Sequence, residues 1–152
     1  MMIALLIVHG LLAVALIGAL THQSLAVIRV SPSGSRSFFD RFRSVNTPTF
    51  TNAIVLLYLI TALGGGLLYP EYRLFVRTTL EDLQLRAANG VFEMKEHFVA
   101  VALGLLPAYI VVWRTPLDPK YAGARRALTW ILAIVAWWSF LAGHVLNNIK
   151  GL

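Results

Sequence analysis

The sequence contains no cysteine. Without a thiol, this chain forms no disulfide, no thiolate metal site, no cysteine-held iron–sulfur cluster and no covalently attached haem. Charged residues are also scarce, at 13% of the 152 residues, whereas 58% are hydrophobic. Soluble domains are about 45–50% apolar and about 25% charged. The composition therefore excludes an ordinary soluble globule and a disordered chain.

The common sequence motifs of enzymes are missing as well. The chain has no phosphate-binding glycine loop, no GxGxxG, no HExxH and no GxSxG. Its net charge of +6 comes from basic residues in short stretches between apolar runs, which is typical of topology signals and headgroup contacts. We therefore expect the lipid bilayer and not a nucleic acid as a partner. An electron-transfer or accessory subunit is favoured over a stand-alone enzyme.

Four long apolar runs predict an all-α integral membrane protein, a single bundle of four transmembrane helices over residues 1–152. Each run is close to the 20 or so residues that cross a bilayer. The first run lacks the basic leader and the cleavage site of a signal peptide, so we interpret it as a retained span. The predicted spans cover residues 2–21, 49–68, 92–113 and 127–147.

The connection between the second and third spans is the longest and most polar. Its leucines alternate with charges of both signs, which predicts a short amphipathic surface helix in this loop 2. Tyr69-Pro70 is expected to end the second span, and Asn89-Gly90 to break the chain before the third, where Pro107 predicts a kink. The run Gly64-Gly65-Gly66 either lets a neighbouring backbone or a ligand approach closely or loosens the helix end.

Lysine and arginine counts predict the orientation of the chain. Loops 1 and 3 share one side and hold eight basic residues, against five on the other side. This asymmetry favours loops 1 and 3 inside and both termini on the outer, periplasmic side of a bacterial inner membrane. The phenylalanines and arginines of residues 38–43 are expected to lie at a headgroup surface.

Three of the four histidines are expected at one depth. His9, His97 and His144 lie on different spans, within about 10 Å of one another in depth near the outer face. His22 lies about 20 Å deeper and alone. Ionisable groups inside spans usually face the bundle interior, and haem iron takes one imidazole nitrogen from each side of the ring. The pattern predicts one b-type haem held by His9 with His144 or His97.

Neighbouring residues extend this hypothesis. Arg73 and Lys95 are candidates to pair with the haem propionates, and Trp137 to border the site or a quinone, the second candidate cofactor. Each has a simpler alternative: the two cations contact headgroups, and the tryptophan faces lipid or fills the core. The histidines themselves are equally consistent with interhelical hydrogen bonds, worth about 1 kcal/mol each. Glu93 and Glu96 either complement the helix dipole or join His97 in a metal site or proton path.

The layout resembles that of small membrane b-type cytochromes, including the cytochrome anchors of hydrogenases. The resemblance covers the four short-looped helices and His9, His97 and His144. It implies electron transfer between an outer donor and a quinone or a neighbouring complex, with membrane or periplasmic redox subunits as partners. Those families often carry two haems, and no inner histidine pair matches here. The alternative is a cofactor-free accessory subunit of a larger respiratory or photosynthetic complex, with loop 2 docking a partner.

Overall fold

The computed structural model describes residues 2–27, 48–115 and 118–150; the predicted headgroup segment 38–43 lies outside these ranges. All regular elements in the described part are helical, and four of its helices are long and apolar enough to span a membrane. The predicted all-α class with four long apolar helices is confirmed. The elements are α1 Met2–Ala26, α2 Pro48–Glu71, a π-helical turn Tyr72–Val76, α3 Arg77–Asp82, α4 Arg86–Arg114, a 3₁₀ turn Pro119–Tyr121 and α5 Ala122–Lys150.

The four long helices pack in a ring. The first helix packs on α2 and α5, and α4 packs on the same two neighbours. Small groups of residues such as Leu20, Ile54 and Leu132 are fully enclosed, whereas many large apolar side chains face outward. This pattern suits a bundle surrounded by lipid, because lipid tails are as apolar as the core. We call the end where α1 begins the His9 end, and the opposite end the Gln23 end.

The second long helix does not end at Tyr69-Pro70, so that prediction is wrong. Pro70 lies inside α2, and one continuous helical rod runs from Thr49 to Asp82. Proline lacks an N–H and so removes one backbone hydrogen bond from the helix. A π-helical turn, Tyr72–Val76, follows directly, and such turns occur mostly as single-turn bulges inside α-helices. The surface helix predicted in loop 2 is thus the continuation of the second span.

A tight turn joins this rod to α4. Gln84 adopts a left-handed conformation with φ 57°, and the Leu85 N–H donates to the Leu80 carbonyl at 2.8 Å. The next helix begins at Arg86, and the Asn89-Gly90 pair lies inside it. The predicted break is therefore wrong: Asn89 accepts a hydrogen bond from the Tyr72 hydroxyl at 3.1 Å and so serves helix packing.

The turn between α4 and α5 is closed by a buried arginine. Arg125 is 7% exposed, and its Nη1 donates to the carbonyls of Val112 at 3.1 Å and Thr115 at 2.8 Å. Its Nη2 donates to the Asp118 carbonyl at 2.7 Å. The last carbonyls of a helix have no partners within it and carry its negative dipole end. In the sequence analysis, this arginine counts among the basic residues of loop 3 that indicate the orientation of the chain.

Candidate functional site

His9 of α1 lies against two glycines of α2. A Cβ atom added to Gly64 would come within 3.1 Å of His9 Nδ1, and one added to Gly65 within 3.4 Å of Cε1. Only residues without a side chain allow this close contact between the two helices. The sequence left two interpretations of the glycine run open, and the close approach is the one observed. His9 Nδ1 is buried and has no hydrogen-bond partner among the described residues.

Two charged residues of α4 pair with each other. Lys95 Nζ lies 3.1 Å from Glu96 Oε1. The same ammonium lies 4.2 Å from the centroid of the Phe92 ring, a cation–π distance. The proposed propionate partner Lys95 therefore already has a carboxylate and an aromatic face as partners.

The His97 ring is oriented by its own helix. Its Nδ1 lies 2.7 Å from the Glu93 carbonyl, one turn earlier. Because a carbonyl only accepts, Nδ1 carries the proton in this contact, and Nε2 keeps its lone pair. Histidines that bind metals are commonly oriented in this way. The residue is exposed, so the ring points out of the bundle and not toward His9.

The His144 ring also contacts residues of its own helix. It stacks on Phe140 with ring centroids 6.3 Å apart and planes 7° apart, and its Nε2 lies 3.3 Å from Asn148 Nδ2. The residue is exposed. Within the described part of the chain, no three histidine, aspartate or glutamate side chains come together as a potential metal site.

The remaining predicted site residues have local partners. Arg73 Nη1 donates to the Tyr69 hydroxyl at 3.3 Å on the exposed surface. Trp137 Nε1 donates to Thr21 Oγ1 at 2.8 Å and joins α5 to α1. His22, expected to be alone near the other end, meets the edge of the Phe50 ring at a centroid distance of 6.1 Å.

A buried polar cluster at the Gln23 end was not predicted. Gln23 Nε2 donates to Thr51 Oγ1 at 3.3 Å, and the Tyr109 hydroxyl donates to Gln23 Oε1. All three side chains are nearly or fully buried, so the cluster ties α1, α2 and α4 together. The signal that could have revealed it is a glutamine at an internal position of an otherwise apolar helix, where an unpaired amide is costly.

The three outer histidines contact three different sets of residues. A bis-histidine haem takes two imidazoles that face each other across the ring. His9 packs against α2, while the contacts of His97 and His144 are with residues of their own helices. These contacts do not assemble a haem site within one chain, and the three histidines stay predicted ligands. No protein-family model, curated protein or solved structure matches the chain.

Proposed function

We propose that the protein is an accessory subunit of a larger membrane assembly and docks its partner through a projecting helical hairpin. We name residues 69–94, which fold back on themselves at Gln84, the projecting hairpin. The supporting observation is the length of its first arm. The rod Thr49–Asp82 has 34 residues and at 1.5 Å per residue is about 51 Å long. Since the hydrocarbon core is about 30 Å thick, roughly 20 Å of an upright rod extends beyond it.

The projecting hairpin is braced between its two arms. Tyr72 stacks on Phe92 with centroids 3.4 Å apart and planes 8° apart, and its hydroxyl bonds to Asn89. Arg77 Nη1 lies 3.5 Å from Glu93 Oε1. An aromatic pair contributes about 0.5–1.5 kcal/mol, whereas an exposed ion pair adds little. The stack and the tyrosine hydrogen bond therefore hold the arms in register.

The outer surface of the projecting hairpin is partly apolar. Leu74 is 64% exposed, Phe75 54% and Leu83 62%. Large apolar side chains that stand out beyond the hydrocarbon core gain by being covered, and such groups mark interaction surfaces. A braced arm with exposed apolar residues supports docking to the extramembrane part of another subunit.

The docking proposal predicts that Leu74→Glu combined with Phe75→Glu releases the partner. Two carboxylates on the contact surface would have to be desolvated, so we expect at least a tenfold loss of association, equivalent to about 1.4 kcal/mol. The measurement is the mass and stoichiometry of the assembly purified from native membranes in a mild detergent. Arg73→Glu is the control, because it adds a carboxylate to an exposed residue of the same rod that points roughly away from Phe75, two positions later on the helix. Wild-type protein that purifies alone, or a double variant that keeps its partner, would contradict the proposal.

The electron-transfer hypothesis stays a prediction beside this one. It assigns two of His9, His97 and His144 to one b-type haem that passes electrons to a quinone or a neighbouring complex. The observation that favours it is that His97 is exposed and its Nδ1 is occupied by the Glu93 carbonyl, which leaves Nε2 as the ligand atom.

The haem hypothesis predicts a reduced-minus-oxidised b-type spectrum for the purified assembly. His97→Ala is expected to abolish it, since the imidazole would be an axial ligand, while His22→Ala at the other end leaves it unchanged. A colourless preparation without extractable porphyrin would end the haem hypothesis and leave the docking proposal intact.

A further inference from the structure

A groove runs between α1 and α5 on the outside of the bundle, toward its Gln23 end. It consists of two adjoining cavities with volumes of about 310 and 410 Å³, which share Thr21, Leu25 and Trp137. The hydrogen bond from Trp137 Nε1 to Thr21 Oγ1 sets its depth, because Thr21 lies in the last two turns of α1, which ends at Ala26. We call this feature the α1–α5 groove.

The walls of the α1–α5 groove are apolar and aromatic. Trp130, Trp137 and Trp138 line it, and each is more than a third exposed. On the α1 side, no atom lies within 4 Å of a Cβ added at Gly18. A transmembrane helix with its side chains is about 10–12 Å across, so cavities of this size are too small to receive one. A single hydrocarbon chain is narrower and packs well on indole rings and aliphatic side chains.

A cation lies at the end of the α1–α5 groove. Arg126 comes four residues before Trp130 and seven before Ala133, both of which line the groove. It therefore shares their face of α5, one to two turns closer to the Gln23 end. Arg126 is exposed, and no carboxylate of the described residues lies within ion-pair distance of its guanidinium.

The contacts of the neighbouring arginine show that this cation lies at the level of the headgroups. Arg125 bonds to the Thr115 and Asp118 carbonyls of the turn between α4 and α5, so Arg126 lies beside the same turn. Trp137 lies eleven residues further along α5, which is about 16 Å deeper. The groove thus leads from an unpaired cation at the bundle end into the hydrocarbon region.

A second polar group borders the groove between these two levels. Ser24 lies in the wall with 1% exposure, beside Trp130 and Ala133, and its Oγ has no hydrogen-bond partner among the described residues. A buried hydroxyl without a partner is costly. The ester carbonyls of a phospholipid accept hydrogen bonds and lie a few ångströms deeper than its phosphate. Arg126 and Ser24 therefore follow each other in the order in which a phospholipid presents these two groups.

We propose that the α1–α5 groove binds an anionic phospholipid. The phosphate accepts from Arg126, an ester carbonyl accepts from Ser24 Oγ, and one acyl chain lies along the indoles. The charge of this end selects an anionic headgroup: Arg114 and Lys120 are also exposed there, and Asp118 is the one carboxylate of the described residues between 114 and 126. A choline or ethanolamine headgroup would bring another cation to these cations. The inference is independent of the docking proposal, because the projecting hairpin extends from the His9 end.

The test measures tryptophan fluorescence of the protein in phosphatidylcholine vesicles. Phosphatidylglycerol with brominated acyl chains replaces the host lipid stepwise, and brominated phosphatidylcholine does so in a parallel series. Half-maximal quenching of the wild type is expected at an about fivefold lower fraction of the brominated phosphatidylglycerol, which is the effect of one basic residue near an anionic lipid surface. Equal curves for the two lipids would overturn the proposal.

Two arginine variants test the headgroup contact. Arg126→Gln should remove the preference for phosphatidylglycerol, because the amide keeps polarity but carries no charge. Arg114→Gln is the matched control: it removes an exposed charge at the same end, but it belongs to α4, which does not line the groove. An equal loss in both variants would indicate general attraction of a basic surface to anionic lipid and would overturn the site.

A glycine pair tests the position of the acyl chain. In Gly18→Leu the new side chain extends into the groove, so maximal quenching by either brominated lipid should fall at least twofold. Gly10→Leu should keep the wild-type quenching, because its surroundings are equally open and Gly10 does not line the groove. Undiminished quenching in Gly18→Leu would show that the chain lies elsewhere. Wild-type fluorescence that no brominated lipid quenches would show that a protein surface covers the groove; either result contradicts the proposal.

Discussion

Arg125→Ala is expected to lower the free energy of unfolding by about 2–3 kcal/mol, because a hydrogen bond to a charged group contributes about 1.5–3 kcal/mol. The guanidinium donates hydrogen bonds to the carbonyls of Val112, Thr115 and Asp118 at 2.7–3.1 Å. Alanine would leave these acceptors without their donors where α4 ends, and would open a cavity under the turn. Unfolding of the purified protein in detergent, followed by circular dichroism, measures the change.

Arg126→Ala is the matched control for this loss. The neighbouring arginine is exposed, and exposed charges contribute about 0–1 kcal/mol. Arg125→Lys keeps the charge but not the planar fork that reaches several acceptors, so its stability should fall between wild type and alanine. Equal effects of Arg125→Ala and Arg126→Ala would show that the buried hydrogen bonds do not stabilise the turn.

The architecture was predictable because apolar length is a strong signal. Crossing the hydrocarbon core requires about 20 apolar residues in a row, and nothing local competes with that requirement. The helix ends were less predictable. Tyr69-Pro70 and Asn89-Gly90 are strong turn signals, yet both pairs lie inside helices. The two arms that contain them contact each other through the stack of Tyr72 on Phe92, a contact between residues far apart in sequence.

The sequence indicates the height of each candidate site residue along its helix but not the direction in which its side chain points. Counting residues along a span gives height at 1.5 Å each, but a shift of one residue turns a side chain by about 100° around the helix. His9 contacts two glycines of α2, whereas His97 contacts Glu93 and His144 contacts Phe140 and Asn148, all on their own helices. The direction in which each imidazole points depends on how its helix is rotated about its own axis within the bundle. Long-range packing between helices sets that rotation.

The burial of two polar residues could not be predicted from the sequence for a related reason. Gln23 lies just beyond the predicted first span and Arg125 lies in the predicted loop 3, positions where polar residues are common, so neither residue indicated a buried contact. Their partners, Tyr109 for the first and the Val112 carbonyl for the second, lie on α4 and become neighbours only in the folded bundle. An apolar run with one internal amide is the sequence feature that marks such a partner.

Gly64→Leu is expected to destabilise the bundle by about 1–3 kcal/mol, the usual cost of overpacking. Even a Cβ at this position would come 3.1 Å from His9 Nδ1 and 3.8 Å from His9 Cβ, so a leucine has to displace the imidazole or move α1 away from α2. Gly66→Leu is the control, because nothing lies within 4 Å of its added Cβ. There the better helix propensity of leucine should stabilise by about 0.5–1 kcal/mol, which is measured by unfolding in the same detergent.

The double variant His9→Ala with Gly64→Leu distinguishes the loss of this contact from any destabilisation that a leucine on α2 causes independently of His9. If the imidazole is what the leucine displaces, removing the imidazole frees the space and the double variant should recover about 1 kcal/mol or more relative to the sum of the single variants, a coupling expected of residues in contact. Strict additivity of the two substitutions would mean that His9 does not rest on the glycines. The same cycle with Gly66→Leu should be additive, since that glycine faces open space.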